Sequence, residues 1–300
     1  DYPHIGYCVL VIVMLIGGCT REQTRLEYAQ LESPSMGRSM DYGVYLPPGW
    51  DRQDPLPLVV FLHGGGDDER SFEEHGAAEV LDSWINTGKL SPVALVTPRG
   101  EMGFWANWYD GSRRYKDYVV NDVISEVRRR YQIRGGRENT HLMGVSMGGS
   151  GGLFMALEHR DRFASAALIS APIYTDDQVM EMLDGFLWRV FFRAGRVLGP
   201  AEPEHVASKS LYGRVQDPDA FGGMKLLFVA GDDESEMIRN TNQNYHRYLK
   251  SKGVFHRYVT YRGEHSWHDW KRLFPAALCL HVDGELCQLE PSDFYTIQSL

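Results

Sequence analysis

The sequence predicts an α/β protein with a mostly parallel central sheet and helices on both faces. Three observations carry this. Apolar runs of strand length alternate with amphipathic stretches from about residue 40 to residue 278. Residues 56–62 are a continuous apolar run, as in a strand buried on both faces, and 93–97 read as another short buried strand. The serine of Gly144-Val145-Ser146-Met147-Gly148 stands where such a run gives way to a helical segment.

The elements follow in chain order. Residues 7–16 are a nearly unbroken apolar run, short for a transmembrane helix and of the length of a signal-peptide core. Ile16-Gly17-Gly18-Cys19 resembles the bacterial lipobox. The resemblance implies removal of residues 1–18, lipidation of Cys19 and export to the periplasm or cell surface, with the lipid as membrane anchor. The alternatives are an ordinary secretory signal and an uncleaved anchor. Residues 19–36 read as a polar tether and 37–300 as one folded domain. Within it, strands are expected at 40–46, 56–62, 93–97, 140–143, 163–169, 225–230 and 254–261. Helices are expected at 71–86, 116–131, 147–158, 236–252 and 267–278. Residues 173–223 separate two strands and carry an apolar helical stretch from Leu183 to Phe192. They read as a lid insertion over a pocket or as a helix packed on the core.

Hydrophobic residues make up 43% of the chain, enough for a large core, and no internal repeat or linker-like bias is present. The formal net charge is −9, which argues against nucleic acid as a partner, since phosphate contacts need clustered cations. Arg128-Arg129-Arg130 is the one dense basic run. It reads as a solvated helix face near a C-terminus, where cations suit the dipole. In an oxidising compartment Cys279 and Cys287 would form a local disulfide; the other reading is two buried thiols.

The chemistry concentrates at the carboxyl ends of the expected strands, where sheets of this class bind ligands. Ser146, with glycine two before and two after, fits a nucleophile elbow: the turn is strained, and the following helix aims its N-terminus at a developing oxyanion. His63-Gly64-Gly65-Gly66 directly follows the 56–62 run, where a glycine loop can supply a second oxyanion donor. The backbone N–H groups of Gly65 and Met147 are assigned as that pair. His63 and Gly64 sit near the site, with His63 holding the loop or touching substrate. His265 lies after the last expected strand and is the candidate general base; His268 competes but falls inside the next helix. The acid that fixes the imidazole tautomer should follow the 225–230 strand. The candidates there are Asp232, Asp233, Glu234 and Glu236. Trp105 and Trp108 follow the third expected strand and could stack on an aryl or sugar group, or pack the loop. No metal or cofactor is called for.

With these residues placed, the stretch from Leu56 to Trp270 resembles the esterase family of α/β-hydrolases that includes feruloyl esterases, S-formylglutathione hydrolase, enterochelin esterases and the mycobacterial mycolyltransferases. Leu62-His63-Gly64-Gly65, Ser146-Met147-Gly148-Gly149 and Gly263-Glu264-His265 carry the resemblance. It implies the α/β-hydrolase fold and a catalytic acid three residues after the glycine ending its strand. Counting from Gly231 gives Glu234, with Asp233 second; the family more often has Asp there. The implied activity is serine carboxylic ester hydrolysis through a covalent acyl-enzyme, on acyl or aryl esters such as glycan-linked ones. The alternatives are acyl transfer to a sugar hydroxyl and a catalytically inactive binding lipoprotein.

Overall fold

The computed structural model describes residues 25–284 and the strand Tyr295–Ser299. The expected signal segment, Cys19 and Cys287 lie outside the described residues. Cys279 is disulfide-bonded.

Nine strands form one sheet: β1 (Arg25–Ser33), β2 (Arg38–Leu46), β3 (Leu58–Leu62), β4 (Ala94–Pro98), β5 (Thr140–Val145), β6 (Ser165–Ile169), β7 (Lys225–Gly231), β8 (Arg257–Tyr261) and β9 (Tyr295–Ser299). Their spatial order is β1-β2-β4-β3-β5-β6-β7-β8-β9. The six strands from β4 to β8 run parallel; β1, β2 and β9 pair antiparallel at the edges.

The parallel strands are buried at nearly every position because both faces are covered. Val60 and Leu62 point into one core, with α4 (Ile124–Arg130), α5 (Met147–Glu158) and α10 (Glu236–Ser251) above them. Val59 and Phe61 point into the other, against α2 (Ala77–Asn86) and α11 (Trp267–Val282). Each buried Val, Leu or Phe contributes about 1.5–3 kcal/mol of transfer free energy, so this double layer is the main stabilising body.

Residues 25–33, expected within a tether, instead form β1, in register with β2 from Arg25↔Leu46 to Ser33↔Arg38. An edge strand needs only one apolar face, and here Glu27, Gln30 and Glu32 interrupt the apolar pattern that would have announced it. The expected helix 71–86 is two, α1 (Ser71–Glu74) and α2, because Gly76 takes φ +75 between them. The expected helix 116–131 is α3 (Tyr115–Asp117), a π-helical segment (Tyr118–Val123) and α4. Strand β9 was not anticipated.

Residues 173–223 hold four short helices: α6 (Asp176–Asp184), α7 (Phe186–Val190), α8 (Ala194–Leu198) and α9 (Pro203–Lys209). Leu183, Ala194 and Val206 form a small core of their own. The insertion docks on the loop after β4, where the amides of Tyr109 and Asp110 donate to the carbonyls of Val197 (3.0 Å) and Arg196 (3.2 Å).

The order of the sheet fixes where chemistry can gather. From β3 the chain first moves to β4 on one side, then returns as β5 on the other. The loops beyond β3 and β5 therefore diverge and leave a crevice at their carboxyl ends, the usual ligand position in open parallel sheets.

Candidate active site

Ser146 stands alone between β5 and α5 with φ 52 and ψ −119. For a non-glycine residue this region costs on the order of 1–3 kcal/mol, and the surroundings must enforce it. They do so by close approach. A side chain at Gly144 would overlap the Gly148 carbonyl, and one at Gly148 would overlap that of Leu62. The Ser146 amide donates to the Ile169 carbonyl at 2.9 Å, tying the elbow to β6. The side chain is left partly exposed at the crevice.

His265 lies in the loop between β8 and α11, and its Nε2 is 2.8 Å from Ser146 Oγ. Its Nδ1 is 3.3 Å from Glu234 Oε1. The carboxylate requires Nδ1 to carry the proton, so Nε2 presents a lone pair to the serine. His268 is exposed on α11 and does not join this group.

The adjacent acids are sorted by backbone pairing. Beyond β7 the amides of Asp232 and Asp233 still donate to Tyr261 (2.8 Å) and Gly263 (3.1 Å), and both side chains stay exposed. Glu234 then turns inward before Ser235 caps α10, and its side chain is wholly buried. Glu236 is exposed.

Sequence reasoning missed what surrounds Glu234. The Tyr261 hydroxyl lies 3.1 Å from Glu234 Oε1 and 3.0 Å from the Glu264 carbonyl. Ser170 Oγ is 3.3 Å from the same hydroxyl and accepts from Trp270 Nε1 at 2.9 Å. Burial and then the nearby Glu234 charge push the Tyr261 phenol well above its ordinary value, so it stays a proton donor. The Trp270 ring also meets His265 edge-on, with centroids 4.8 Å apart. Asp269 accepts from the Glu264 amide at 2.8 Å and holds the loop that presents His265. A tyrosine in a strand and a tryptophan in a helix read as ordinary core, so nothing in the sequence marks them.

The glycine loop after β3 closes over the serine. A Cβ on Gly64 would sit 3.6 Å from Ser146 Cβ, so this backbone runs directly past the nucleophile position. Gly65 is exposed, with Met102 beside it. Asp67 steadies the loop, accepting from Trp267 Nε1 at 3.1 Å. Met147 is the first residue of α5, where N–H groups lack intrahelical acceptors and the helix end carries partial positive charge.

Three residues considered for substrate contact are placed otherwise. His63 is buried, with Nδ1 2.8 Å from the Gly64 carbonyl and Nε2 accepting from the Gly100 amide at 2.9 Å. Burial lowers its pKa. Both ring nitrogens are occupied in holding two loops together. Trp105 is 1% exposed and donates from Nε1 to the His63 carbonyl at 3.1 Å. Its φ of 56 turns the ring inward, against Gly100 and Gly151. Trp108 is partly buried, bonded to the Gly103 carbonyl (3.2 Å), with Arg196 of the insertion over its ring. Packing claims these tryptophans. Met102, 43% exposed beside Gly65, is a better-placed apolar contact.

Among the described residues no cluster of His, Cys, Asp or Glu could hold a metal ion. What the arrangement can do is move one proton: from the Ser146 hydroxyl to an imidazole whose far side is held by a buried carboxylate.

A family model described as "Putative esterase" matches residues 33–281. An endo-1,4-beta-xylanase/feruloyl esterase of Xylanibacter ruminicola is 23% identical over 158 residues, 50% of this chain and 22% of that protein. The match thus spans about a fifth of that relative's length. An acetyl esterase of Caldicellulosiruptor saccharolyticus is 23% identical over 215 residues, 66% of this chain and 77% of that protein. In fold, the chain resembles the fluorophosphonate-binding serine hydrolase F of Staphylococcus aureus, with TM-score 0.69 and 22% identity, covering 86% of this chain and 98% of that one.

Proposed function

This chain belongs to the esterase family whose model spans residues 33–281, and from that premise we propose that it is a serine carboxylic ester hydrolase working through a covalent acyl-enzyme. The observation that carries the proposal is the continuous relay Ser146 Oγ to His265 Nε2 (2.8 Å) and His265 Nδ1 to Glu234 Oε1 (3.3 Å).

In this reading His265 takes the Ser146 proton as Oγ attacks the ester carbonyl. The amides of Gly65 and Met147 hold the oxyanion, the step at which such enzymes gain most. His265 then gives its proton to the departing alcohol oxygen. A water enters, loses a proton to His265 and attacks the acyl carbon; Ser146 recovers its proton as the acid leaves. Glu234 stabilises the imidazolium through both halves without taking the proton. Glycan-linked acyl or aryl esters are the proposed substrate class, supported by the feruloyl and acetyl esterases among the relatives.

Ser146→Ala should lower turnover of p-nitrophenyl acetate by at least about 10³-fold; retained turnover would refute the mechanism. A panel of acetyl, butyryl, feruloyl and octanoyl esters then ranks substrates, and added sugar acceptors separate hydrolysis from acyl transfer by product.

Export as a lipoprotein anchored through Cys19 belongs to the same proposal, supported by Ile16-Gly17-Gly18-Cys19. A palmitate analogue should label the exported chain, and Cys19→Ser should remove the label. Labelling that survives this change would contradict the assignment.

A further inference from the structure

The insertion carries a surface that ester hydrolysis does not require. Phe186 is 74% exposed, Phe191 71% and Leu187 62%, and Val190 and Phe192 are exposed beside them. Phe186, Leu187 and Phe191 stand outside the insertion's own core, which Leu183, Ala194 and Val206 form, whereas the Phe192 ring meets Trp188, which packs against that core. A contiguous apolar patch of large side chains on a water-soluble surface marks contact with something.

The charges nearby indicate what. Arg189, Arg193 and Arg196 are interleaved with the apolar residues, and no Asp or Glu occurs from residue 186 to residue 196; the nearest exposed acids, Glu181 and Asp184, stand on α6. Arg196 is tied to Asp110 at 2.7 Å; Arg189 and Arg193 are exposed at the tip. Aromatic and aliphatic side chains beside exposed arginines suit the boundary between lipid headgroups and acyl chains. Two copies meeting through this tip would bring each arginine pair into one interface with its counterpart, whereas lipid phosphates neutralise it. Among the described residues no helix is long and apolar enough to cross a membrane, so the contact would lie at the interface.

We propose that the α7 tip docks on an anionic phospholipid surface, with Phe186, Leu187 and Phe191 entering the headgroup boundary and Arg189 and Arg193 pairing with phosphates. The insertion leaves the sheet after β6, whose Ile169 carbonyl holds the Ser146 amide. The proposal stands on exposure and charge and is independent of the esterase mechanism.

The test is co-sedimentation of the full chain with vesicles of phosphatidylcholine alone or with 30% phosphatidylglycerol. Every sample carries Cys19→Ser, so that no lipid anchor contributes and residues 1–18 contribute equally. Phe186→Ser/Phe191→Ser should lower partitioning onto the mixed vesicles by about tenfold or more. Arg189→Ser/Arg193→Ser should lower it on the mixed vesicles and leave it unchanged on phosphatidylcholine alone. Thermal unfolding midpoints equal to that of the parent chain verify that both variants fold, as substitutions at exposed positions should. Partitioning within twofold of the parent for both variants would overturn the proposal. So would light scattering that shows a parent dimer made monomeric by the phenylalanine changes with vesicle binding unaltered, which would assign the surface to a second copy.

Discussion

Neighbouring acids become unequal once the backbone past β7 is followed. Asp232 and Asp233 are spent on continued pairing with the β8 side of the sheet, and Glu234 is the side chain turned inward, beside His265 and Tyr261. Glu234→Gln keeps the shape but presents an amide to the imidazole, so kcat on p-nitrophenyl acetate should fall by roughly 10²–10⁴-fold. Asp233→Asn, at an exposed position, should leave kcat within about twofold. Steady-state rates for the two variants decide between them, and an equal loss in both would contradict the geometry. Ser146 and His265 were legible in the sequence because each has a local signature, and Glu234 because a family spacing points to it. Tyr261, Ser170 and Trp270 were not, since their roles depend on contacts among β6, β8 and α11 that no spacing records. Trp105 misled for the same reason: its inward turn depends on a positive φ and on room beside Gly100 and Gly151.

Where β5, β6 and α11 meet, far along the strands from the elbow, a polar cluster is buried. Ser165 Oγ lies 2.7 Å from His141 Nδ1 and 2.5 Å from His281 Nδ1. One ring donates to the hydroxyl and the hydroxyl donates to the other, which must therefore be neutral. Burial holds His141 down at about 4 and His281 well below its ordinary value. An unfolded histidine titrates near 6.5, so between about pH 6.5 and 4 the unfolded chain binds a proton that the folded chain refuses. Stability is therefore full above this window and is lost as pH falls through it. His141 alone should make the unfolding free energy about 2 kcal/mol smaller at pH 5 than at pH 7. Urea titrations at both pH values test this: His141→Gln should reduce the difference, and an unchanged difference would rule out His141 as its source. The parallel strands and α5 were readable from apolar runs whose length and flanking turn residues, rather than any period, separate strand from helix. The edge strands β1 and β9 were not, because edges are half-solvated. The breaks at Gly76 and in the π-helical segment depend on tertiary fit.

Across the whole molecule, the sheet gathers residues from distant parts of the chain. The 63–66 loop, Ser146, Glu234 and His265 follow β3, β5, β7 and β8 and meet at one edge because those strands run parallel. The order along the chain, serine then acid then histidine, is the order this fold uses. The insertion leaves the sheet at that edge, after β6, without supplying the relay. The relay stands or falls on whether Ser146 is a nucleophile made reactive by His265. The most direct measurement is covalent labelling with a fluorophosphonate, read by intact mass and by peptide mapping. One adduct per chain is expected, located on Ser146, formed at a rate that falls by at least about 10³-fold in His265→Ala. An adduct on another residue, or labelling of Ser146 at an undiminished rate without His265, would contradict it.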